Sequence, residues 1–344
     1  MRIKPILLFG GVSSECRVSV ASAQNIFQSV PDFDLWFISR RGAVHAISPE
    51  ALVRHQNPFE RDFLPMMAPS WSCVDEALDS APSGAVFFLS LHGGDGENGT
   101  LQRAFEKKKI AFTGSGAIAS ELAFDKARAK AVVAEKGVTV AAACIIEGSE
   151  DNILSRLTAL WRTRGRLVVK PLADGSSVGL HHLRNESDLE PIANAVALSG
   201  VPYLAEDFLA GTELTVGVIN DGRRTISLPP SEIRLEEGAA FDYAGKYLGK
   251  RALEITPAEV PAEVYAEAQQ IALLAHKSIG CEGYSRTDLV AGATGVAFIE
   301  INTLPGLTAT SFIPQQLTAS GLDIGTFVKV QINLAIERQK QIGA

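Results

Sequence analysis

The chain has 344 residues, of which 46% are apolar and 21% charged, and its formal net charge is −7. This length allows two or three domains with sizeable cores, and the acidic balance argues against nucleic acid as a partner. No stretch approaches the roughly 20 apolar residues of a membrane helix, and the four cysteines form no CxxC pair that would indicate zinc or a disulfide framework. We expect a cytoplasmic protein that does not contact membranes.

Residues 1–114 alternate predicted strands and helices. Strands are predicted at residues 6–9, 35–39 and 85–91. Apolar residues recur at helical spacing from Val20 to Val30, between the first two strands. This order predicts a doubly wound parallel sheet, which binds ligands at the carboxyl ends of its strands. Two glycine-containing loops, residues 10–15 and 92–99, fall at such ends, whereas residues 42–83 resemble an irregular insertion without an assigned role.

The second loop interleaves four glycines with polar side chains, beginning at His92. A single histidine at a strand end usually has a structural role. With Glu15 on the neighbouring loop, however, it could bind an ammonium group or tune a carboxylate.

Residues 115–206 contain a predicted helix that includes residues 123–135, a strand at 166–170, and a loop rich in glycine and serine up to Gly179. Lys170 ends the strand, and small residues let backbone N–H groups approach phosphate oxygens. The loop lacks the GKS or GKT of a Walker sequence, and an ordinary connection is the alternative. Glu206 and Glu213 flank the next connection, either as clamps for an adenine edge and a ribose or as an acidic linker.

Residues 207–344 contain predicted strands at 213–218 and 296–301 and a helix between Pro261 and Gly280. Arg286 and Asp288 stand two residues apart, as do Glu300 and Asn302, so each pair faces one side of its strand. If the two strands pair, their oxygen ligands suit a Mg²⁺ ion that bridges nucleotide phosphates, and the arginine suits a transferring phosphoryl group. The alternative is an exposed strand pair with solvated charges.

Taken together, these stretches resemble the D-alanine–D-alanine ligase family of ATP-grasp fold, in order along nearly the whole chain. The matching stretches are residues 10–15 (GGVSSE), 92–99 (HGGDGENG), 112–116 (FTGSG), 125–126 (DK), 169–171 (VKP), 175–179 (GSSVG), 213–216 (ELTV), 241–247 (FDYAGKY), 286–288 (RTD) and 300–306 (EINTLPG). The resemblance implies a three-domain α/β and α+β ATP-grasp fold. Its parts would be an N-terminal doubly wound substrate-binding domain at 1–114, a central subdomain at 115–206, and a C-terminal domain at 207–344 that carries the metal site.

The resemblance also implies roles for individual residues. Those assigned to ATP are Lys126, Lys170 and Ser176 for the phosphates, with Glu206 at the adenine hinge and Glu213 at the ribose. Those assigned to metal are Asp288, Glu300 and Asn302, which would hold two Mg²⁺ ions that Mn²⁺ can replace. Those assigned to amino acids are Glu15, linked to Ser176 and Tyr247, and His92 for the first substrate, with Ser311 and Phe312 for the second. Arg286 and the Gly306 N–H would stabilise the acyl-phosphate and the tetrahedral intermediate.

The implied activity joins two D-alanine molecules through an acyl-phosphate, for peptidoglycan synthesis. Residues 239–250 would close over the site to exclude water, and a homodimer is implied. Four residues depart from the family pattern: Cys16, Asn98, Thr310 and Phe312. A relative that joins a different amino-acid or hydroxy-acid pair therefore stays open, as does a non-catalytic nucleotide-binding protein.

Overall fold

The structure, a computed structural model, describes residues 4–173, 178–235 and 252–343. Ser176, Tyr247 and the predicted closing segment at 239–250 lie outside these residues. Three β-sheets, each with its own helices, account for the described chain. Within it, no helix is both long and apolar enough to cross a membrane.

The first sheet is built by the N-terminal part of the chain. Its strands are β1 (Ile6–Gly10), β2 (Asp34–Ile38), β3 (Val44–Ile47), β4 (Val86–Leu91) and β5 (Ala111–Phe112). Its helices are α1 (Cys16–Ser29), α2 (Pro49–Arg54), α3 (Val74–Asp79) and α4 (Thr100–Lys108). The strand order is β3-β2-β1-β4-β5, and all neighbours are parallel except β2 and β3.

The predicted strands and the parallel sheet are thus confirmed. Strands β1 and β4 lie in the middle of the sheet, and every one of their residues is buried. Such strands have both faces covered, which explains their continuous apolar sequences. The insertion at residues 42–83 is more regular than expected, because it supplies the antiparallel edge strand β3 and the short helices α2 and α3.

The chain next forms α5 (Ala117–Phe124), α6 (Lys126–Ala134) and β6 (Thr139–Val140). The prediction of a single helix through residues 123–135 is wrong, because Asp125 has an extended backbone between the two helices. The Asp125 carboxylate accepts hydrogen bonds from the Ala127 and Arg128 N–H groups, both at 3.0 Å. Asp125 is therefore the N-cap of α6, and this cap places Lys126 at the first position of that helix.

The second sheet contains four antiparallel strands in the order β7-β10-β8-β9. They are β7 (Ala143–Ile146), β8 (Leu167–Pro171), β9 (His181–Leu183) and β10 (Tyr203–Asp207). Helices α7 (Ile153–Arg164) and α8 (Leu189–Ser199) contribute to its hydrophobic core, as Leu157 and Val196 show.

The third sheet follows the order β14-β13-β11-β15-β16-β6, and β12 pairs with β11. Its remaining strands are β11 (Thr212–Asn220), β12 (Thr225–Ser227), β13 (Ser231–Leu235), β14 (Ala252–Ile255), β15 (Tyr284–Gly292) and β16 (Gly295–Asn302). The last helices are α9 (Ala262–Ile279), α10 (Phe312–Ala319) and α11 (Ile324–Gly343). Helix α9 ends where predicted, at Gly280, whose φ of 79° favours glycine.

Helices from distant parts of the chain cover these sheets. Ala129 of α6 belongs to the same core as Ile271 of α9 and Phe298 of the third sheet. Phe327 and Val328 of α11 belong instead to the core of the N-terminal sheet. Helices α5 and α6, which follow residue 114, pack on the third sheet. The division of the chain at residues 114 and 206 stays a prediction.

Candidate active site

A cleft between the second and third sheets gathers most of the predicted site residues. Its walls include Lys126, Lys170, Glu206, Glu213, Arg286, Asp288, Glu300, Gly306, Ser311 and Phe312. These residues come from β8, β10, β11, β15, β16, helix α6, the loop before α10 and the first residue of α10. Lys126 and Lys170 therefore line the same cleft as the Asp288 and Glu300 carboxylates, although these residues are far apart in sequence.

The pairing of β15 with β16 places the predicted metal ligands on one face. Asp288 is the direct cross-strand partner of Glu300, and Arg286 is the partner of Asn302. Arg286 donates to both Asp288 oxygens, at 2.9 Å each, and the Thr215 hydroxyl donates to Asp288 at 2.6 Å. The predicted strand pair is confirmed. It presents two carboxylates and an amide, which are the hard donors that Mg²⁺ prefers.

Asn302 is the member of this set that does not line the main cleft. It lines a smaller cavity together with Glu97, Lys126 and Glu300. Its buried amide nitrogen has no hydrogen-bond acceptor among residues 4–173, 178–235 and 252–343. Carboxylates directly opposite each other on paired strands repel, so Asp288 and Glu300 favour positive charge nearby, part of which Arg286 and Lys126 supply.

On the opposite wall, a buried carboxylate lies between two lysines. The Lys170 ammonium is 2.7 Å from one oxygen of Glu206, and the Lys130 ammonium is 3.0 Å from the other. Burial alone would lower the pKa of Lys170, but the Glu206 and Glu300 carboxylates outweigh it and raise that pKa. Burial likewise opposes ionisation of Glu206, yet the two lysines lower its pKa. Lys170 and Glu206 are therefore charged at neutral pH, whereas burial lowers the pKa of Lys130 against the opposing effect of Glu206.

Lys126 extends from helix α6 toward the face of β15 and β16 that carries Asp288 and Glu300, which we call the metal face because these are the predicted metal ligands. Its ammonium lies 3.8 Å from a Glu300 oxygen, and its side chain is only 9% exposed. A lysine at this position neutralises part of the carboxylate charge and can still reach a phosphate in the cleft.

His92 is predicted to serve the first substrate, and its ring joins two loops. Its Nδ1 lies 2.9 Å from the Leu304 carbonyl oxygen, so Nδ1 carries the proton and donates. The Ser22 hydroxyl lies 3.0 Å from Nε2 and also accepts a hydrogen bond from the Leu307 N–H. Burial lowers the pKa of His92, which keeps the ring neutral. The histidine thereby holds the loop of residues 304–307, which contains Gly306, against the N-terminal sheet.

Glu15 is buried beside this histidine, immediately before helix α1. An added Cβ on Gly93 would lie 2.7 Å from a Glu15 carboxylate oxygen. The glycine at the start of the second loop thus leaves room for the Glu15 side chain.

Glu97, in the same loop, was not singled out in the sequence. Burial, together with the nearby Glu15 charge, raises its pKa to about 8. The interleaved glycines indicated an unusual loop, but only the packing reveals a carboxyl group that stays protonated at neutral pH.

The loop of residues 303–311 closes one end of the cleft. The Ser311 hydroxyl accepts from the Thr308 N–H at 3.1 Å, and an added Cβ on Gly306 would lie 2.7 Å from that hydroxyl oxygen. Phe312, the first residue of α10, is buried. Glycine at 306 therefore allows Ser311 to approach its backbone closely.

The fold and the cleft define the class of protein. The second and third sheets enclose a cleft lined by lysines and carboxylates, and a mostly parallel sheet precedes them. This arrangement is the ATP-grasp architecture. Residues 4–115 match the family described as D-ala D-ala ligase N-terminus, and residues 154–333 match D-ala D-ala ligase C-terminus. The chain belongs to the D-alanine–D-alanine ligase family.

Relatives extend this similarity to nearly the full length. A D-alanine–D-alanine ligase of Nitratidesulfovibrio vulgaris is 33% identical over 97% of this chain and 98% of its own. The crystal structure of VanG D-Ala:D-Ser ligase from Enterococcus faecalis has a TM-score of 0.78 at 27% identity, covering 97% of this chain and all of that one. A Bacillus anthracis D-alanine–D-alanine ligase complexed with ATP has a TM-score of 0.74 at 24% identity, with both chains fully covered.

Proposed function

We propose that the protein joins two D-alanine molecules in an ATP-dependent reaction that yields D-alanyl-D-alanine for peptidoglycan synthesis. The observation that carries the proposal is the cleft in which Lys126 and Lys170 face Asp288 and Glu300. Membership of the D-alanine–D-alanine ligase family supports the same activity.

Asp288, Glu300 and Asn302 are the residues that would hold Mg²⁺, as two ions, and Mn²⁺ would substitute for it. The fit rests on three residues that carry oxygen donors and on the cross-strand pairing of the two carboxylates. When bound, the metal would neutralise phosphate charge and orient the transferring group.

In the first step, a carboxylate oxygen of D-alanine attacks the γ-phosphorus of ATP, and ADP leaves. Glu15 would bind the ammonium of that D-alanine, and the Lys126 and Lys170 ammonium groups would bind ATP phosphates. Two anions have to meet here, so the buried cations lower the electrostatic cost of approach. Arg286, which is oriented by its two hydrogen bonds to Asp288, would stabilise charge on the transferring phosphoryl group.

In the second step, the amine of another D-alanine attacks the acyl carbon, and phosphate leaves as the nitrogen loses a proton. The Gly306 N–H would donate to the developing oxyanion, and Ser311 would bind the carboxylate of the second molecule. Ser176 and Tyr247, outside the described residues, complete the proposed set with Glu15. Glu206 and Glu213 would hold the adenine and ribose ends of ATP, and His92 would position the Gly306 loop.

A second candidate function, with a different second substrate, is motivated by residues that depart from the family pattern, although the relatives named D-alanine–D-alanine ligase do not favour it. Phe312 is buried and lines the cleft beside Ser311 and Thr310. Its bulk alters the pocket for the second amino acid, and a structural neighbour is named as a D-Ala:D-Ser ligase.

A substrate panel distinguishes the two candidates. The purified protein would be supplied with ATP, Mg²⁺ and D-alanine, alone or with D-serine or D-lactate, and the products identified by mass spectrometry. We expect D-alanyl-D-alanine to dominate in every mixture. A dominant mixed product would support the second candidate, and no product from D-alanine would refute the first.

We further propose a cytoplasmic homodimer with the three-part division at residues 114 and 206. Family resemblance supports the dimer and the division. The composition of the chain supports the location.

A further inference from the structure

We infer that Lys130 is a positioning residue of the nucleotide site: it fixes the Glu206 carboxylate and, through it, the Lys170 ammonium. The inference rests on the proposed function only in that a nucleotide occupies the cleft. Lys130 itself is absent from the cleft wall, whereas Glu206 and Lys170 both line it.

Helix α6 carries Lys126 and Lys130 one turn apart, so both side chains leave the same face of the helix. Lys126 points to the metal face, 3.8 Å from Glu300. Lys130 lies deeper, with its side chain only 5% exposed, 3.0 Å from Glu206. A lysine is rarely buried to this extent unless a charge partner holds it there.

The two oxygens of the Glu206 carboxylate contact different lysines. One oxygen takes the Lys170 ammonium at 2.7 Å, and the other takes Lys130 at 3.0 Å. Ion pairs at both oxygens restrain the Glu206 carboxylate, and through it the position of the Lys170 ammonium. Among the described residues, this contact takes one of the three Lys170 donors, so the others could reach phosphate oxygens.

Lys130 also connects the two walls of the cleft. Its ammonium lies 3.4 Å from the Phe298 carbonyl oxygen of β16, two residues before the metal-face residue Glu300. Glu206 belongs to β10 of the second sheet, so the single Lys130 ammonium spans both sheets. This contact sets the separation between the lysine wall and the carboxylate wall.

Calorimetric titration with ADP and Mg²⁺ tests the inference without requiring turnover. The variants are Lys130→Met and, as a matched control, Lys136→Met, which removes an exposed lysine from the same part of the chain. We expect Kd for ADP to rise about tenfold in Lys130→Met and to change less than about twofold in the control. An unchanged Kd in a folded Lys130→Met protein would overturn the inference, even if its melting temperature falls, because burial alone would then explain Lys130.

Lys130→Arg keeps the test decisive if the methionine variant does not fold. It retains the charge with altered geometry, so Kd should rise by about threefold, and a Kd equal to that of the wild type would count against the inference. Combining Lys130→Met with Glu206→Gln should add less than about twofold to the effect of Glu206→Gln alone. A full tenfold addition would mean that Lys130 does not act through Glu206.

Steady-state kinetics separates this inference from the proposed function. Lys130→Met should raise the KM for ATP and leave the KM for D-alanine unchanged, because Glu15 and Ser311 are not its partners. An equal rise in both constants would contradict a role at the nucleotide. A wild-type protein that binds ADP but forms no D-alanyl-D-alanine would refute the proposed function, and the ADP titrations would still decide the role of Lys130.

Discussion

Gly93 illustrates how one backbone position sets the first-substrate site. Its φ of 66° is in the left-handed region, and an added Cβ would lie 2.7 Å from a Glu15 oxygen. A side chain there would be strained and would displace the carboxylate that we expect to bind the first ammonium group.

We predict that Gly93→Ala raises the KM for the first D-alanine about tenfold while the KM for ATP stays unchanged. Gly137→Ala is the control, because Gly137 has a φ of 83° and open space around its Cα. Both variants should lose about 1 kcal/mol of stability to backbone strain. Steady-state kinetics at two D-alanine concentration ranges provides the measurement. An identical kinetic effect in both variants would show that strain, and not contact with Glu15, is responsible.

The sequence predicted the polar residues of β15 and β16 in the site, but it did not predict the buried contacts around them. Spacing placed Arg286 with Asp288, and Glu300 with Asn302, on one side of their respective strands, because side chains alternate along a strand, but it left the pairing of the two strands as a condition. Lys130 was missed, although its spacing of four from Lys126 was a signal. Whether a lysine on a helix is buried depends on which sheets pack around it, and that is a long-range property.

At the scale of elements, the break between α5 and α6 matters because it sets where Lys126 stands. Without an extended residue at Asp125, the lysine would lie in mid-helix. The apolar pattern continued through this position, so it could not reveal the cap. The regularity of the insertion at residues 42–83 was also underestimated. Its strand β3 is short, and the partner strand β2 precedes the insertion in the chain.

We predict that Asp125→Ala lowers the free energy of unfolding by about 1 kcal/mol, because two N–H groups of α6 lose their acceptor. It should also weaken ADP binding, since Lys126 follows directly. Ser48→Ala is a suitable control: Ser48 caps the short helix α2, far from the cleft, through a single 3.3 Å bond. Urea denaturation and ADP titration measure the two effects. Equal ADP binding in the two variants would contradict the role of the cap.

His276 links helix α9 to strand β15 and confers a pH dependence. Its Nδ1 lies 2.7 Å from the Ser285 hydroxyl oxygen. Burial, with a smaller contribution from Lys277, lowers the pKa of His276 from 6.5 to about 4. Below pH 6.5, His276 is protonated in the unfolded chain, whereas in the folded protein it stays neutral down to about pH 4. The unfolded state therefore binds more protons, and the stability of the folded protein falls as the pH falls.

We predict that this histidine costs about 2 kcal/mol of stability between pH 7.5 and pH 5. The His276→Asn variant removes the titrating group and should lose correspondingly less over that interval. Urea denaturation of both proteins at the two pH values gives the comparison. Parallel losses in the two proteins would assign the pH dependence to other groups.

Across the whole molecule, the C-terminal helix α11 joins the N-terminal sheet to the third sheet. Phe327 packs edge-on against Tyr284 of β15, with ring centroids 5.3 Å apart. Arg338 donates to the carbonyl oxygens of Phe112 and Gly114, at 2.6 and 2.7 Å. The parts that hold Glu15 and Arg286 are thus fixed by a helix whose position no local sequence pattern could predict.

The central claim is that Asp288 on β15 and Glu300 on β16 support phosphoryl transfer to D-alanine. The most direct measurement is phosphate release with ATP, Mg²⁺ and D-alanine, with the dipeptide quantified in the same samples, for the wild type and Glu300→Gln. We predict one phosphate per D-alanyl-D-alanine in the wild type and a rate at least about 100-fold lower in the variant. Turnover of Glu300→Gln at the wild-type rate, or no phosphate release by the wild type, would contradict the claim.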